Sequence, residues 1–282
     1  MNWLVTGARG MLGVDLVDVL AAAGERVTAV GRTELDILDV DAVHKAVAGH
    51  DVVVNCAAWT AVDDAESHED GARAINAIGA GDVAAAAHAH GARMVQISTD
   101  YVFDGTATTP YPEDAPSRPA SAYGRTKAEG EELVRAAAPD HLVVRTAWLY
   151  GAHGGCFPRT IVKLARERGA VAVVADQVGQ PTWTRDVAEL VLRLVIAAVP
   201  AGTYHATSDG QASWFVFARA AVVGAGLDPA VVTPTTSDAF VRPAPRPAYS
   251  VLGHDALERA GVAPIGPWLE RWQAAAAQVL AE

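Results

Sequence analysis

Trp3-Leu4-Val5-Thr6-Gly7-Ala8-Arg9-Gly10-Met11-Leu12-Gly13 decides the fold. A short apolar run reads as a strand, a glycine-rich turn follows at once, and a helical pattern runs from Met11 to about Ala23. Strand, glycine turn and helix in that order is the context of a dinucleotide-binding fingerprint. Gly7 permits the tight turn, Gly10 lets the backbone approach a pyrophosphate, and Gly13 lets helix and strand pack closely. The anion then rests on the helix N-terminus, where free N–H groups point at it. The spacing is G-x-x-G-x-x-G and not the commoner G-x-G-x-x-G, so the flanking strand and helix carry the assignment.

Working outward, a second strand (Arg26 to Val30) ends in Gly31-Arg32. An NAD-preferring site usually carries an acid there for the ribose hydroxyls, while an arginine accommodates a 2′-phosphate. No acid is read at that strand end; Arg32 stands there and Arg9 lies in the glycine turn. NADPH is therefore the expected cofactor, with NADH not excluded. Leu35-Asp36-Ile37 precedes a short helix (Asp41 to Ala48), and Asp51 to Asn55 reads as a buried parallel strand. The small residues of Cys56-Ala57-Ala58-Trp59-Thr60 would let that loop lie against the cofactor. The expected cofactor contacts are thus Gly7, Arg9, Gly10, Met11, Leu12, Gly13, Arg32, Asp36, Ile37, Ala57, Ala58 and Thr60, joined by Tyr123 and Lys127. In a long alanine-rich helix (Ala72 to His90), Asn76 either faces the site or lies on the surface.

Met94 to Ile97 is the next strand, with Ser98-Thr99-Asp100-Tyr101-Val102-Phe103-Asp104-Gly105 at its carboxyl end. Ligands of open α/β sheets bind beyond such ends. The proline-rich loop Thr106 to Pro119 leads into Tyr123-Gly124-Arg125-Thr126-Lys127. A tyrosine and a lysine four apart share one helix face. Free tyrosine ionises near about pH 10, and an ammonium one turn away would stabilise its anion. The pair reads as a proton-transfer device at a helix start, set there by Pro119, Ser121 and the helix-forming run Lys127 to Ala138. Thr99 and Tyr123–Lys127 are thus brought to one edge of the sheet.

Further on, His141 to Thr146 and Val171 to Val174 read as strands. Pro158 to Arg168, Thr184 to Ala198 (with a good N-cap), Ser213 to Val223 and Pro267 to Ala281 read as helices, and Gly202 to Ala206 as a late strand. Alternating βα units followed by a mixed region predict a doubly wound parallel α/β sheet of Rossmann type with a smaller C-terminal lobe. The expected division is 1–150, with a return segment at about 184–206, against a substrate lobe of 151–183 and 207–282.

The 282 residues include 22 basic and 33 acidic ones, a net charge of −11, which argues against general nucleic-acid or anionic-membrane binding. Cys56 and Cys156 match no metal spacing and read as free thiols of a reducing compartment. No secretory signal is read ahead of the first strand, and apolar stretches are broken well short of a membrane span. A soluble cytoplasmic protein is expected.

Taken together, the glycine turn, Ser98-Thr99-Asp100 and Tyr123-x-x-x-Lys127 look like an extended short-chain dehydrogenase/reductase. More narrowly, the chain resembles the dTDP-4-dehydrorhamnose reductase family from end to end. The resemblance rests on Val53 to Asp63, Ser98 to Gly105, Tyr123 to Lys127, Arg145 to Gly151, Gln177-x-Gly179-Gln180-Pro181-Thr182 and Arg246 to Leu252. It implies reduction of the C4 ketone of dTDP-6-deoxy-L-lyxo-4-hexulose to dTDP-L-rhamnose by NAD(P)H. Thr99, Tyr123 and Lys127 would be catalytic: Tyr123 the proton donor, Thr99 a second donor to the sugar O4, Lys127 lowering the tyrosine pKa and holding the nicotinamide ribose. Substrate contacts would be Val62, Asp63, Thr99, Asp100, Tyr101, Trp148 (stacking), Gln180 and Arg246. Some family members bind magnesium at a dimer interface through acids that include one just after the glycine turn. Here Val14-Asp15 follows Gly13, so no metal is expected, and monomer and homodimer both stay open. Sibling 4,6-dehydratases carry a glutamate where Tyr101 stands, and a 4-epimerase would retain NAD tightly, against which Arg32 speaks. A ketoreductase for another dTDP-4-keto-6-deoxy sugar, and a non-catalytic NADP-binding regulatory subunit, remain as alternatives.

Overall fold

A computed structural model describes residues 1–137 and 140–281. The chain opens with β1 (Asn2–Thr6), β2 (Arg26–Val30), β3 (Val52–Asn55), β4 (Arg93–Thr99) and β5 (Leu142–Thr146). It leaves this sheet through β6 (Leu149–Tyr150), β7 (Val171–Val174), β8 (Val178–Gly179) and β9 (Thr182–Trp183), then returns as β10 (Gly202–His205). Two short strands, β11 (Ala212–Ser213) and β12 (Val232–Thr235), follow. The main sheet has the order β10-β5-β4-β3-β1-β2, and all its pairs are parallel. The smaller strands pair two by two: β6 with β9, β7 with β12, β8 with β11.

The all-apolar strands explain the layering. Both faces of β1 and β3 are covered, which a parallel sheet requires. On one face, Leu12, Leu16 and Leu20 of α1 (Met11–Ala22) pack with Leu190 and Leu194. On the other, Val43 of α2 (Val40–Val47) meets the alanines of a long helix ahead of β4. Beyond a single turn, α3 (Val62–Ala65), that helix runs as α4 (Glu69–Arg73), a widened π segment (Ala74–Gly79) and α5 (Ala80–Ala89). The sequence predicts an unbroken helix from Ala72 to His90; the widening accompanies an inward turn of Asn76. Asn76 is buried, its Oδ1 accepting from the Trp59 N–H (2.8 Å) while its Nδ2 donates to the Trp59 carbonyl (3.1 Å) and to Thr126 Oγ1 (3.1 Å). It is neither a surface residue nor free to face a ligand.

Helix α6 (Ala122–Ala137) starts where Ser121 Oγ accepts from the Gly124 N–H at 3.1 Å. Ala138, the expected end of that helix, lies outside the described residues. After α7 (Phe157–Arg168), α8 (Thr184–Ile196) brings the chain back to the main sheet. Here one expectation is corrected: Trp183, and not Thr184, occupies the N-cap position, and it makes no side-chain cap. The Thr184 hydroxyl is used across the fold, donating to the buried Asp15 carboxylate and lying 3.2 Å from the Tyr150 carbonyl. A second apolar cluster gathers Tyr150, Trp183, Phe217 and Trp272 around Ile161 and Val222. Among the described residues, no helix is long and apolar enough to cross a membrane, and no group of three or more His, Cys, Asp or Glu is placed to hold a metal ion.

Replacing Asn76 with Ala leaves the Trp59 amide and carbonyl without partners, at about 1–3 kcal/mol per buried group. The expected result is a melting temperature several degrees lower, checked by calorimetry.

Candidate active site

The glycine turn is built as its spacing requires. Gly7 has φ +64°, and a Cβ on it would stand 2.6 Å from the Ala57 nitrogen. Only glycine fits both the left-handed backbone and the contact. A Cβ on Gly13 would run into the Gly7 carbonyl and come within 2.7 Å of the Ala8 Cα, so α1 and β1 meet backbone to backbone. Gly10 is the N-cap of α1, no side chain caps it, and no acid stands in the first turn. An anion would complete that end of the helix.

A cleft of about 560 Å³ opens above these residues at the carboxyl ends of the strands. Gly7, Arg9, Gly10, Met11, Leu12, Gly13, Arg32, Asp36, Ile37, Ala57, Ala58, Thr60, Tyr123 and Lys127 all line it. So do Cys56, Ile75, Ile97, Ser98, Thr146 and Leu149, none of them among the expected cofactor contacts, although Cys56 and Ser98 belong to segments expected to face the cleft. Ile97, Ser98 and Thr146 were open to discovery as strand-end positions; Ile75, on the π segment, was not. The cleft and its uncapped helix start fit a dinucleotide.

The end of β2 carries no acid at Gly31-Arg32, but one follows in the turn beyond. Glu34, three residues past Gly31, accepts from the Gly31 N–H at 2.8 Å and pairs with Arg9 at 3.1 Å. Those two contacts hold its carboxyl below the usual range. Both side chains of this pair reach solvent, so it contributes little, and a phosphate could displace it. Arg32 is exposed and makes no ion pair among the described residues.

The proton-transfer groups come from two elements. Tyr123 stands beside Thr99, whose hydroxyl donates to Asp100 Oδ1 at 3.0 Å. Burial pushes Tyr123 up to about 12, Thr99 opposes this, and Asp100 adds to it. Asp100 itself is pushed up to about 6 by burial, opposed by hydrogen bonds from Ser250 and Thr99. Lys127 is brought down to about 8 by burial, with Glu131 and then Cys56 opposing. Its Nζ donates to the Ile97 carbonyl at 2.7 Å. The expected lowering of the tyrosine pKa by Lys127 is therefore corrected: burial dominates, and Tyr123 is a protonated phenol at neutral pH.

The expected substrate residues are only partly assembled. Val62 and Tyr101 pack with Tyr123, the two tyrosine rings edge to face at 5.5 Å. Asp63 and Arg246 meet each other at 2.9 Å, with Arg242 3.5 Å from the same carboxylate. Burial raises Asp63, but the Ala244 N–H and Arg246 outweigh it and hold the carboxyl low. Trp148, at φ +47°, is stacked on Trp214 with ring centroids 3.5 Å apart, so one indole face is already covered. Gln180 is corrected outright. It is buried, and its amide is spent on the Leu252 backbone, accepting at 2.8 Å and donating at 3.1 Å.

A family model described as RmlD substrate binding domain matches residues 1–281. The chain belongs to this family. It is 50% identical over 274 residues to a protein of Streptomyces griseus named dTDP-4-dehydrorhamnose reductase, covering 95% of this chain and 90% of that one. It is 48% identical over 270 residues to the dTDP-4-keto-6-deoxy-D-glucose reductase of Streptomyces niveus, covering 95% and 93%. The crystal structure of a Bacillus anthracis dTDP-4-dehydrorhamnose reductase in complex with NADP superposes with TM-score 0.93 at 35% identity, covering 97% and 98%.

In this RmlD-family chain, Gly10→Ala meets only the Gly7 carbonyl, at 3.3 Å, so it should fold normally and lose dinucleotide affinity. Gly7→Ala should lose stability as well, by about 1–3 kcal/mol for the strained φ alone. Thermal melts and NADPH titration of both variants check the contrast.

Proposed function

We propose that this protein reduces the C4 ketone of dTDP-4-dehydro-L-rhamnose to dTDP-L-rhamnose with NADPH as the hydride source. The observation that carries the reading is a cleft at the carboxyl ends of the strands lined by both Tyr123 and Lys127, with the glycine turn on its wall. It is supported by relatives named for reduction of dTDP-4-keto sugars and by a relative in complex with NADP.

When bound, a reduced nicotinamide supplies the hydride. Tyr123 keeps its proton up to about pH 12 and is thus loaded to deliver it to the sugar O4 as negative charge develops there. Thr99 offers that oxygen a second hydrogen bond. Lys127, as an ammonium beside the cleft, holds the ribose. Arg32 and Arg9 face the 2′-phosphate side, which favours NADPH over NADH. Arg246 and Asp63 shape the nucleotide end of the substrate. Residues 151–183 and 207–282 form the substrate lobe around them.

A second reading is reduction of the D-configured sugar, since a relative at 48% identity is named for dTDP-4-keto-6-deoxy-D-glucose. NADPH oxidation, followed by absorbance with dTDP-4-keto-6-deoxyglucose, separates the two. Consumption only when a 3,5-epimerase is added supports the L-sugar; consumption without it supports the D-sugar.

Tyr123→Phe should lower kcat by at least about 100-fold while leaving the NADPH dissociation constant unchanged; normal turnover would remove Tyr123 from the proton-donor role. Arg32→Ala should raise the KM for NADPH roughly ten-fold, the worth of one lost charged hydrogen bond, with little effect on NADH. As pH rises through about 8, Lys127 loses its proton, so kcat/KM for NADPH should fall on the alkaline side in a pH–rate profile.

A further inference from the structure

Tyr123, Lys127 and Glu131 succeed one another at four-residue steps along α6 and occupy one helix face. The first two serve the reaction proposed above. The third does not touch the cleft, yet it is a carboxylate only 1% exposed. Its Oε1 accepts from Ser98 Oγ at 2.6 Å and from Arg145 Nε at 2.9 Å. Its Oε2 accepts from Arg145 and from Arg135, each at 2.7 Å. Burial raises the Glu131 pKa, but the bonds from Arg145 and Ser98 and the nearby Arg135 charge outweigh it and keep the group ionised.

Two consequences reach the reacting groups. Ser98 lies between Ile97, whose carbonyl receives the Lys127 ammonium, and Thr99, which stands beside Tyr123. The Ser98–Glu131 bond therefore ties the end of β4 to the helix that carries Tyr123 and Lys127. Buried ammonium groups also need an opposing charge to stay protonated. Around Lys127 stand Cys56 after β3, the Ile97 carbonyl and Ser98 on β4, and Tyr123 and Glu131 on its own helix. Asp100 accepts from Thr99, and Arg145 also turns toward Phe103, His205 and the Glu113 carbonyl. Glu131 is the anion that acts on Lys127.

We propose that Glu131 is a positioning residue for the reductase. It holds the end of β4 against the helix of Tyr123 and Lys127 through Ser98, and it places a buried carboxylate one turn from Lys127. Such a role explains a buried ion pair better than stability does, because an apolar pair of similar volume would serve stability as well.

The test rests on the proposed reading only for its kinetic arm; the first readout is binding. NADPH affinity of the whole protein is measured against pH from the change in tryptophan fluorescence. The wild-type affinity should weaken as pH rises through Lys127's titration. Glu131→Gln should move that alkaline limb toward acid by about one pH unit, which means roughly ten-fold weaker binding above the wild-type midpoint. An unmoved limb would overturn the inference. If Glu131→Gln does not fold because Arg145 is left unpaired, Ser98→Ala, which cuts the bond from the strand end to Glu131 and leaves both charges, should lower kcat about ten-fold with the alkaline limb unmoved, and wild-type kcat there would overturn the inference.

In the kinetic arm, Glu131→Asp keeps the charge but not the reach. It should keep the alkaline limb and lose about ten-fold in kcat, the size of one misplaced hydrogen bond, with KM for NADPH unchanged. Wild-type kcat in Glu131→Asp would overturn the positioning role. Failure of the wild type to reduce any dTDP-4-keto sugar would sink the proposed function and leave the binding result to decide on Glu131.

Discussion

Helix α6 sits against its neighbours at backbone distance, and that seat sets the geometry of everything above the sheet. A Cβ at Gly124 would run into the Tyr101 carbonyl, and one at Gly130 into the Asn76 carbonyl. Larger residues would push the helix outward and carry Tyr123 and Lys127 away from the end of β4. Asn76 bonds Thr126 from one side and Ser121 caps the start. The outer face carries only exposed pairs, Arg125–Glu69 and Arg73–Glu129, worth little each. Close packing and buried hydrogen bonds, not surface charge, hold the reacting side chains in register.

Burial then sets the protonation of those groups. The chain as a whole is acidic, but the cleft gathers Lys127, Arg9 and Arg32 on its wall. Desolvation moves Tyr123 and Lys127 apart, to about 12 and about 8, since it disfavours the anion of one and the cation of the other. Without an anion nearby, the lysine would fall further and lose its charge near neutral pH. The Glu131 carboxylate, itself held ionised by Arg145, opposes that drift. An arginine on β5 thereby bears on a lysine on α6.

The small paired strands and the aromatic cluster return the late chain to the site. Tyr150 and Trp183, which flank the excursion from the main sheet, share a core with Phe217 and Trp272. Gln180 clamps Leu252, and the segment just before it carries Arg246 onto Asp63. A polar side chain spent wholly on backbone in this way contributes to shape, not to recognition. Trp148 owes its place to Trp214 in the same sense.

Local pattern carried the sheet, the glycine turn and the tyrosine helix. Period, strand-end position and glycine spacing are short-range properties, and Arg26–Val30 and the wall of the cleft follow from them. It misread what depends on partners far along the chain. Glu34 stands three residues beyond the position scanned for an acid, and only the fold of that turn brings it to Arg9. Thr184 looked like a helix cap because its neighbours in sequence suit one, yet its hydroxyl belongs to Asp15, 169 positions away. Gln180 and Trp148 looked free because nothing in a linear chain marks Leu252 or Trp214 as their partners. The sequence by itself determined which segments become strands, helices and a phosphate-cradling turn, since backbone sterics and apolar periodicity act over a few residues. Only the tertiary structure decided which polar groups remain available at the site. A side chain's hydrogen bonds are settled by whatever the chain brings back to it, and for Asp63 that is Arg246, 183 residues on.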